Sequence, residues 1–134
     1  MSLVLIKKAL EKKLLQLDAV IETAYESVSF KPTNGVPYQR VQLIPRIPSN
    51  PTMGSNHYRE IGEFQVLLAY PSNNGTLDVL TKAESIQQHF ARGTTITESS
   101  IQVIITRTPQ IVGAQVLGDR VLVPVIIKYL VDIL

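Results

Sequence analysis

The sequence contains no cysteine and no tryptophan, and aromatic residues fill only 6% of its 134 positions. Without cysteine there is no disulfide and no thiol nucleophile, which fits a reducing compartment and leaves apolar burial to hold the chain together. Histidine is nearly as scarce. His57 and His89 stand alone, with no HExxH and no carboxylate at metal-ligand spacing. We read His57 as a loop residue and His89 as a helix-end residue that complements the dipole. There is no P-loop, no GxGxxG and no GxSxG; the stretch 113–118 has glycine at both ends but neither the spacing nor a following helix. No serine sits in a motif with a base, and Asp and Glu occur singly on polar faces. These absences argue against an enzyme and assign no metal and no cofactor.

Charge of one sign is also lacking. The formal net charge is only +2, so no broad attraction to nucleic acid or a membrane follows. Tyr25, Tyr38, Tyr58, Tyr70 and Tyr129 are scattered, whereas an RNA-binding sheet interleaves aromatics with basic residues on one strand. The lysines Lys7, Lys8, Lys12 and Lys13 read as a solvated helix face, with a small nucleic-acid-binding module as the alternative. No apolar run approaches the roughly 20 residues of a membrane helix. The longest, 121–134, is interrupted by Pro124, Lys128 and Asp132. The apolar start at 3–6 is too short for a signal-peptide core. The length suits one domain, 1–134.

What the sequence does have is organised around residues 58–93. Phe64, Val66, Leu68 and Tyr70 alternate as one face of a strand. Residues 71–75 concentrate turn chemistry around Pro71, Asn73, Asn74 and Gly75. Thr76 then offers a side-chain N-cap. Val79, Leu80, Ala83, Ile86, Gln87 and Phe90 follow at helical spacing. Arg92 is placed in the last turn, and Gly93 is the left-handed stop.

An earlier helix spans 2–17, with Leu3, Ile6, Leu10, Leu14 and Leu17 as its stripe. Strands are predicted at 23–30, 38–44, 94–97 and 101–105, with extended chain at 111–117. Between the second of these and the central strand, residues 45–57 have no period and carry Pro45, Pro48 and Pro51. Such loops are functional or disordered, and Ile47 and Met53 are its exposed apolar groups. Gly118-Asp119 is a two-residue hairpin signal. The final strand, 120 to about 131, is apolar on both faces, which requires cover on both sides from helices or another subunit. Pro124 argues for an edge position or a bulge. An edge strand apolar on both faces is an aggregation hazard unless a second copy covers it. The charged residues Arg59, Glu60, Glu63, Arg92 and Arg107 are candidates for ion pairs across strands or subunits. With two helices, six or seven strands and no strict βαβ alternation, the fold class is α+β: a mixed, mainly antiparallel sheet with two helices packed on one face.

Several runs taken together resemble the tail-terminator proteins of tailed bacteriophages, the lambda minor tail protein U type. They are Pro37-Tyr38-Gln39-Arg40-Val41-Gln42-Leu43, Asn50-Pro51-Thr52-Met53-Gly54-Ser55, Tyr58-Arg59-Glu60-Ile61-Gly62, His89-Phe90-Ala91-Arg92-Gly93-Thr94, and Gly118-Asp119-Arg120-Val121-Leu122-Val123-Pro124-Val125. The resemblance covers most of the chain, stops a few residues short of its end, and agrees with the fold read from the residues. It implies a non-enzymatic virion protein. Such a protein forms a hexameric ring on the tail tube, stops tube polymerisation and presents the surface that joins the head. Its implied partners are further copies of itself, the tube protein and a head–tail joining protein. Its implied location is the virion tail, reached through assembly in the host bacterial cytoplasm. Family use of loops and sheet edges for assembly maps onto Ile47, Asn50 and Met53 in the loop, Arg59, Glu60 and Arg92 around the central unit, and Arg120, Leu122 and Ile126 on the last strand. Another head–tail connector or a tail tube component is the alternative within the virion.

Overall fold

The computed structural model describes residues 2–18, 21–26, 28–51, 53, 57–72 and 75–133. Two helices, α1 (Ser2–Leu17) and α2 (Leu77–His89), accompany eight strands. These are β1 (Glu22–Ala24), β2 (Tyr38–Pro45), β3 (Tyr58–Pro71), β4 (Thr95–Glu98), β5 (Ile101–Ile105), β6 (Gln110–Ile111), β7 (Gln115–Leu117) and β8 (Arg120–Ile133). The spine is the antiparallel pair β3 and β8, each 14 residues long and matched from Tyr58↔Ile133 to Pro71↔Arg120. The sheet order is β1-β2-β3-β8-β5-β4, with β6 and β7 pairing further along β8. All pairs are antiparallel except β1 with β2. The expected α+β architecture is therefore present, with one strand more than the upper count.

One face of the sheet carries the core. Phe64, Val66 and Leu68 of β3 lie opposite Ile127, Val125 and Val123 of β8 and are fully buried with them. Directly opposed residues share a face, so Val41 of β2 and Ile105 of β5 extend the same layer. Ile6, Ala9, Leu10 and Leu14 of α1 and Val79, Ala83 and Ile86 of α2 close over it. Leu3, expected in the α1 stripe, is 40% exposed. The helices are joined to each other by His89, whose ring nitrogen lies 2.6 Å from the Lys13 carbonyl, and by Lys82 to Asp18 at 2.7 Å.

Four local expectations are corrected. The strand predicted at 23–30 is only Glu22–Ala24. Beyond it, Val28 N–H donates to the Tyr25 carbonyl as a turn, and Glu26 turns its carboxylate to the Leu43 N–H and to Lys7. Thr76 makes no side-chain cap; its carbonyl accepts from the Leu80 N–H instead. The helix ends at His89, so Arg92 lies beyond it, and Gly93 (φ +88°) serves the following turn by donating to the Ile105 carbonyl. Finally, Pro124 does not mark an edge. β8 is central, with β3 on one side and β5, β6 and β7 on the other. The Pro124 carbonyl accepts from Val112 N–H, so its ring nitrogen faces the irregular link between β6 and β7, where no ladder donor is needed. The predicted turn residues Asn73 and Asn74, the strand position Ser27 and the terminal Leu134 lie outside the described residues.

Gly62 has one packing requirement. A Cβ there would sit 2.6 Å from both the Ile44 carbonyl oxygen and the Tyr129 hydroxyl. The hydroxyl is buried and, among the described residues, has no hydrogen-bond partner. Burial, helped by the charge of Glu60, pushes the phenol up to about 12. Gly62→Ala is expected to lower stability by about 1–3 kcal/mol in urea denaturation. Tyr129→Phe, which removes the hydroxyl but leaves the ring carbon at 2.9 Å, is expected to recover part of that loss in the double variant.

Candidate assembly surfaces

The second face of the sheet carries no helix among the described residues. Register places Ile61 and Leu67 of β3 beside Leu130 and Pro124 of β8, and Leu122 and Ile126 beside Ala69 and Gln65. Ile61, Leu67, Leu122, Pro124, Ile126 and Leu130 are each partly exposed rather than buried. On β8 this second face holds Leu122, Pro124, Ile126 and Leu130 together with the exposed Lys128 and Asp132, whereas the first face is buried from Val121 to Val131.

At the lower end of the spine lies the connection 46–57. Its root is not irregular. Arg46 N–H donates to the Ile61 carbonyl at 2.9 Å, and Ser49 and Arg59 exchange backbone bonds of 2.9 and 2.7 Å. The β2–β3 ladder thus continues past Pro45 and holds the loop outward. Ile47 is 86% exposed and Met53 wholly so, with Asn50 exposed between them. Thr52 and residues 54–56 lie outside the described residues. Ion pairs brace this end: Arg46 with Glu63, and Arg59 with Asp132 at 2.7 Å, joined by His57 at 3.4 Å. The Arg59 hydrogen bond is the leading reason that the Asp132 carboxyl is held below its ordinary range. Arg59 and Glu63 therefore do form cross-strand pairs, with partners that spacing did not identify.

At the upper end the β7–β8 hairpin turns through Gly118 (φ +62°) and Asp119. Val116 and Leu117 are 71% and 68% exposed, and Leu77 at the start of α2 is exposed too. None of the three stood out in the sequence; the available signal was an apolar pair immediately before a turn, on an arm whose outer edge has no strand. Arg120, expected at an interface, is buried and engaged within the chain instead. Its Nη1 donates to the Val36 carbonyl, its Nη2 donates to the Thr33 carbonyl at 2.7 Å, and its guanidinium lies 5.0 Å from the centre of the Tyr38 ring. Glu60 is also buried, on the core face beside Tyr129. Arg92 is exposed and lines a cleft with Thr106, Arg107 and Thr108. The expected set is thus divided: Ile47, Asn50, Met53 and Arg59 gather at the lower end, Leu122 and Ile126 lie on the open face, Arg92 lies in the cleft, and Arg120 and Glu60 face inward.

Two measurements check these local readings. Asp132 has its folded value depressed below 3.8. Its contribution is present above that value and is lost as pH falls through the folded one. Wild type is expected to lose more melting temperature than Asp132→Asn between about pH 5 and about pH 2. Arg120→Ala is expected to cost about 1.5–3 kcal/mol, the worth of charge-assisted bonds to carbonyls. Arg120→Lys should recover little of it, because an ammonium cannot make the same fork.

Comparison with known proteins agrees with this fold. A family model described as phage tail terminator protein matches residues 5–129. A solved structure whose title gives no function superposes with a TM-score of 0.78 at 23% identity, over 98% of this chain and 96% of the other. A chain in the virion of a native gene transfer agent particle superposes with a TM-score of 0.56 at 13% identity, over 93% and 92%. At these identities the superpositions speak for the fold. A search of curated proteins finds no match. Matched by the family model over nearly its whole length, the chain belongs to the phage tail terminator family, as a structural protein of the phage tail.

Proposed function

We propose that this protein closes the tail tube as a ring, stops tube polymerisation and presents the surface that joins the head. The ring is a hexamer of identical chains, its neighbours are the tube protein and a head–tail joining protein, and it assembles in the host bacterial cytoplasm. The observation that carries this reading is the loop 46–57, pinned at its root by the extended β2–β3 ladder, with Ile47 and Met53 held in solvent. Apolar side chains on a positioned loop are contacts awaiting a partner.

The geometry supports this reading. It must bind a tube end better than the next tube subunit does, and offer no equivalent surface above itself. The two ends of the spine are chemically unlike: an apolar loop braced by ion pairs below, and a short hairpin bearing Val116 and Leu117 above. A body with unlike ends stacks in one orientation, and it ends the stack when its upper end does not match its own lower one. Within the ring, contacts between neighbours are heterologous, one patch against a different one. The open face around Leu122 and Ile126 is the apolar area available for them.

Ile47→Asp and Met53→Asp are expected to weaken ring or tube binding by about tenfold or more, as loss of an interface anchor does. The monomer's thermal transition should stay within about 0.5 kcal/mol of wild type, because both side chains are exposed. Light scattering with and without tube ends, beside a thermal melt, makes the comparison. A lost thermal transition would assign these residues to the core instead, and long open filaments of the pure protein would favour a tube component.

A further inference from the structure

Arg92 and Arg107 are charged and exposed. Among the described residues neither guanidinium has a hydrogen-bond or ion-pair partner. The chain nevertheless brings them together. Gly93 N–H donates to the Ile105 carbonyl at 2.8 Å, which sets the turn after α2 against the segment after β5. The result is a cleft of about 520 Å³ lined by Arg92, Thr106, Arg107 and Thr108. Two like charges sharing a concavity repel, and hydroxyls beside guanidinium groups add donors. That chemistry suits carboxylates.

An unpartnered carboxylate, Glu22, lies on the opposite edge of the sheet, and a second, Asp78, starts α2. β1 is one edge and β4 the other. Beside β1 lies a cleft of about 320 Å³ lined by Asp18, Ile21, Glu22, Val36, Pro37 and Tyr70. Glu22 is exposed and has no partner among the described residues. Asp78, exposed in the first turn of α2, has no hydrogen-bond or ion-pair partner among them either. Burial is the main reason the Tyr70 phenol on this cleft is raised, and the charges of Asp18 and Asp78 add to it. The arginine cleft sits on the β5–β6 side of β8 and the acidic one on the β1 side. Copies placed edge to edge bring unlike charges together, which is the heterologous contact a closed ring requires.

We propose that Arg92 and Arg107 of one copy receive the carboxylates of Glu22 and Asp78 of its neighbour. This rests on the ring reading and gives its side-to-side contact a chemistry. Ile21, Val36 and Pro37 line the cleft beside Glu22 and give the contact an apolar border. Two arginines in one cleft are too few for a groove that tracks a phosphate backbone, which needs a basic stripe.

The test is charge reversal followed by charge swap on the full chain. Arg92→Glu with Arg107→Glu is expected to raise the concentration of half-assembly by about tenfold or more in light scattering, with the thermal transition retained. Adding Glu22→Arg and Asp78→Arg to the same chain is expected to restore assembly. Raising salt from about 0.1 M to about 1 M, which shortens the screening length from about 10 Å to about 3 Å, is expected to weaken the wild-type ring and the swapped one alike. A ring untouched by the double reversal overturns the contact while leaving the ring standing, and so does a disrupted ring that the swap does not restore. Wild type that stays monomeric even with tube ends overturns the ring and the contact together. A reversal that spares the ring but abolishes binding to a short DNA duplex assigns the cleft to nucleic acid and overturns the proposal.

Discussion

Everything else depends on the 14-residue pairing of β3 with β8. It spans about 45 Å at roughly 3.4 Å per residue, and it fixes which side chains share a face. On one face it builds the layer of Phe64, Val66, Leu68, Val123, Val125 and Ile127 that α1 and α2 cover. On the other it lines up Ile61, Leu67, Leu122, Pro124, Ile126 and Leu130, with no helix above them among the described residues. Because β8 is central in its sheet, this partly exposed apolar area is fixed in the middle of the second face, where the proposed ring contacts draw on it.

The spine also decides where the ends are. β3 and β8 run past their neighbours, so the 46–57 loop is carried below the sheet and the Gly118-Asp119 hairpin above it. Each end is stiffened by a different device. Below, the continued ladder through Arg46 and Ser49 and the Arg59–Asp132 pair hold the loop root. Above, Arg120 ties β8 to the 33–36 loop and lies over Tyr38. Exposed surface pairs contribute little stability alone; their effect here is to set the direction in which Ile47, Met53, Val116 and Leu117 are presented.

Much of this was legible in the residues, and the failures have physical causes. The alternation through Phe64, Val66 and Leu68 and the helical stripe from Val79 to Ile86 report burial directly, and both elements stand where they were expected. Gly118-Asp119 marked a hairpin because only a short list of residues takes that turn. Strand order was not legible, because pairing is a long-range choice. Pro124 pointed to an edge by the usual rule, yet the gap between β6 and β7 meets its need in the middle of the sheet. Arg120 looked like surface because arginine usually is; its burial depends on three carbonyls more than 50 positions away. The loop root was missed because backbone pairing of Arg46 and Ser49 leaves no side-chain period. Part of the candidate surface, Ile47 and Met53, could be named beforehand because exposed apolar residues among prolines are conspicuous. Val116 and Leu117 could not, because apolar residues beside a hairpin read as core.

The central claim is that the chain closes into a ring on a tube end. The most direct measurement is the mass distribution of the full-length protein by light scattering across concentration, with images of the same samples, in the presence and absence of its tube protein. The account predicts one discrete closed species of about six copies that sits at tube ends and shortens the tubes formed. Open filaments of the protein alone, or a monomer that leaves tube length unchanged, would contradict it.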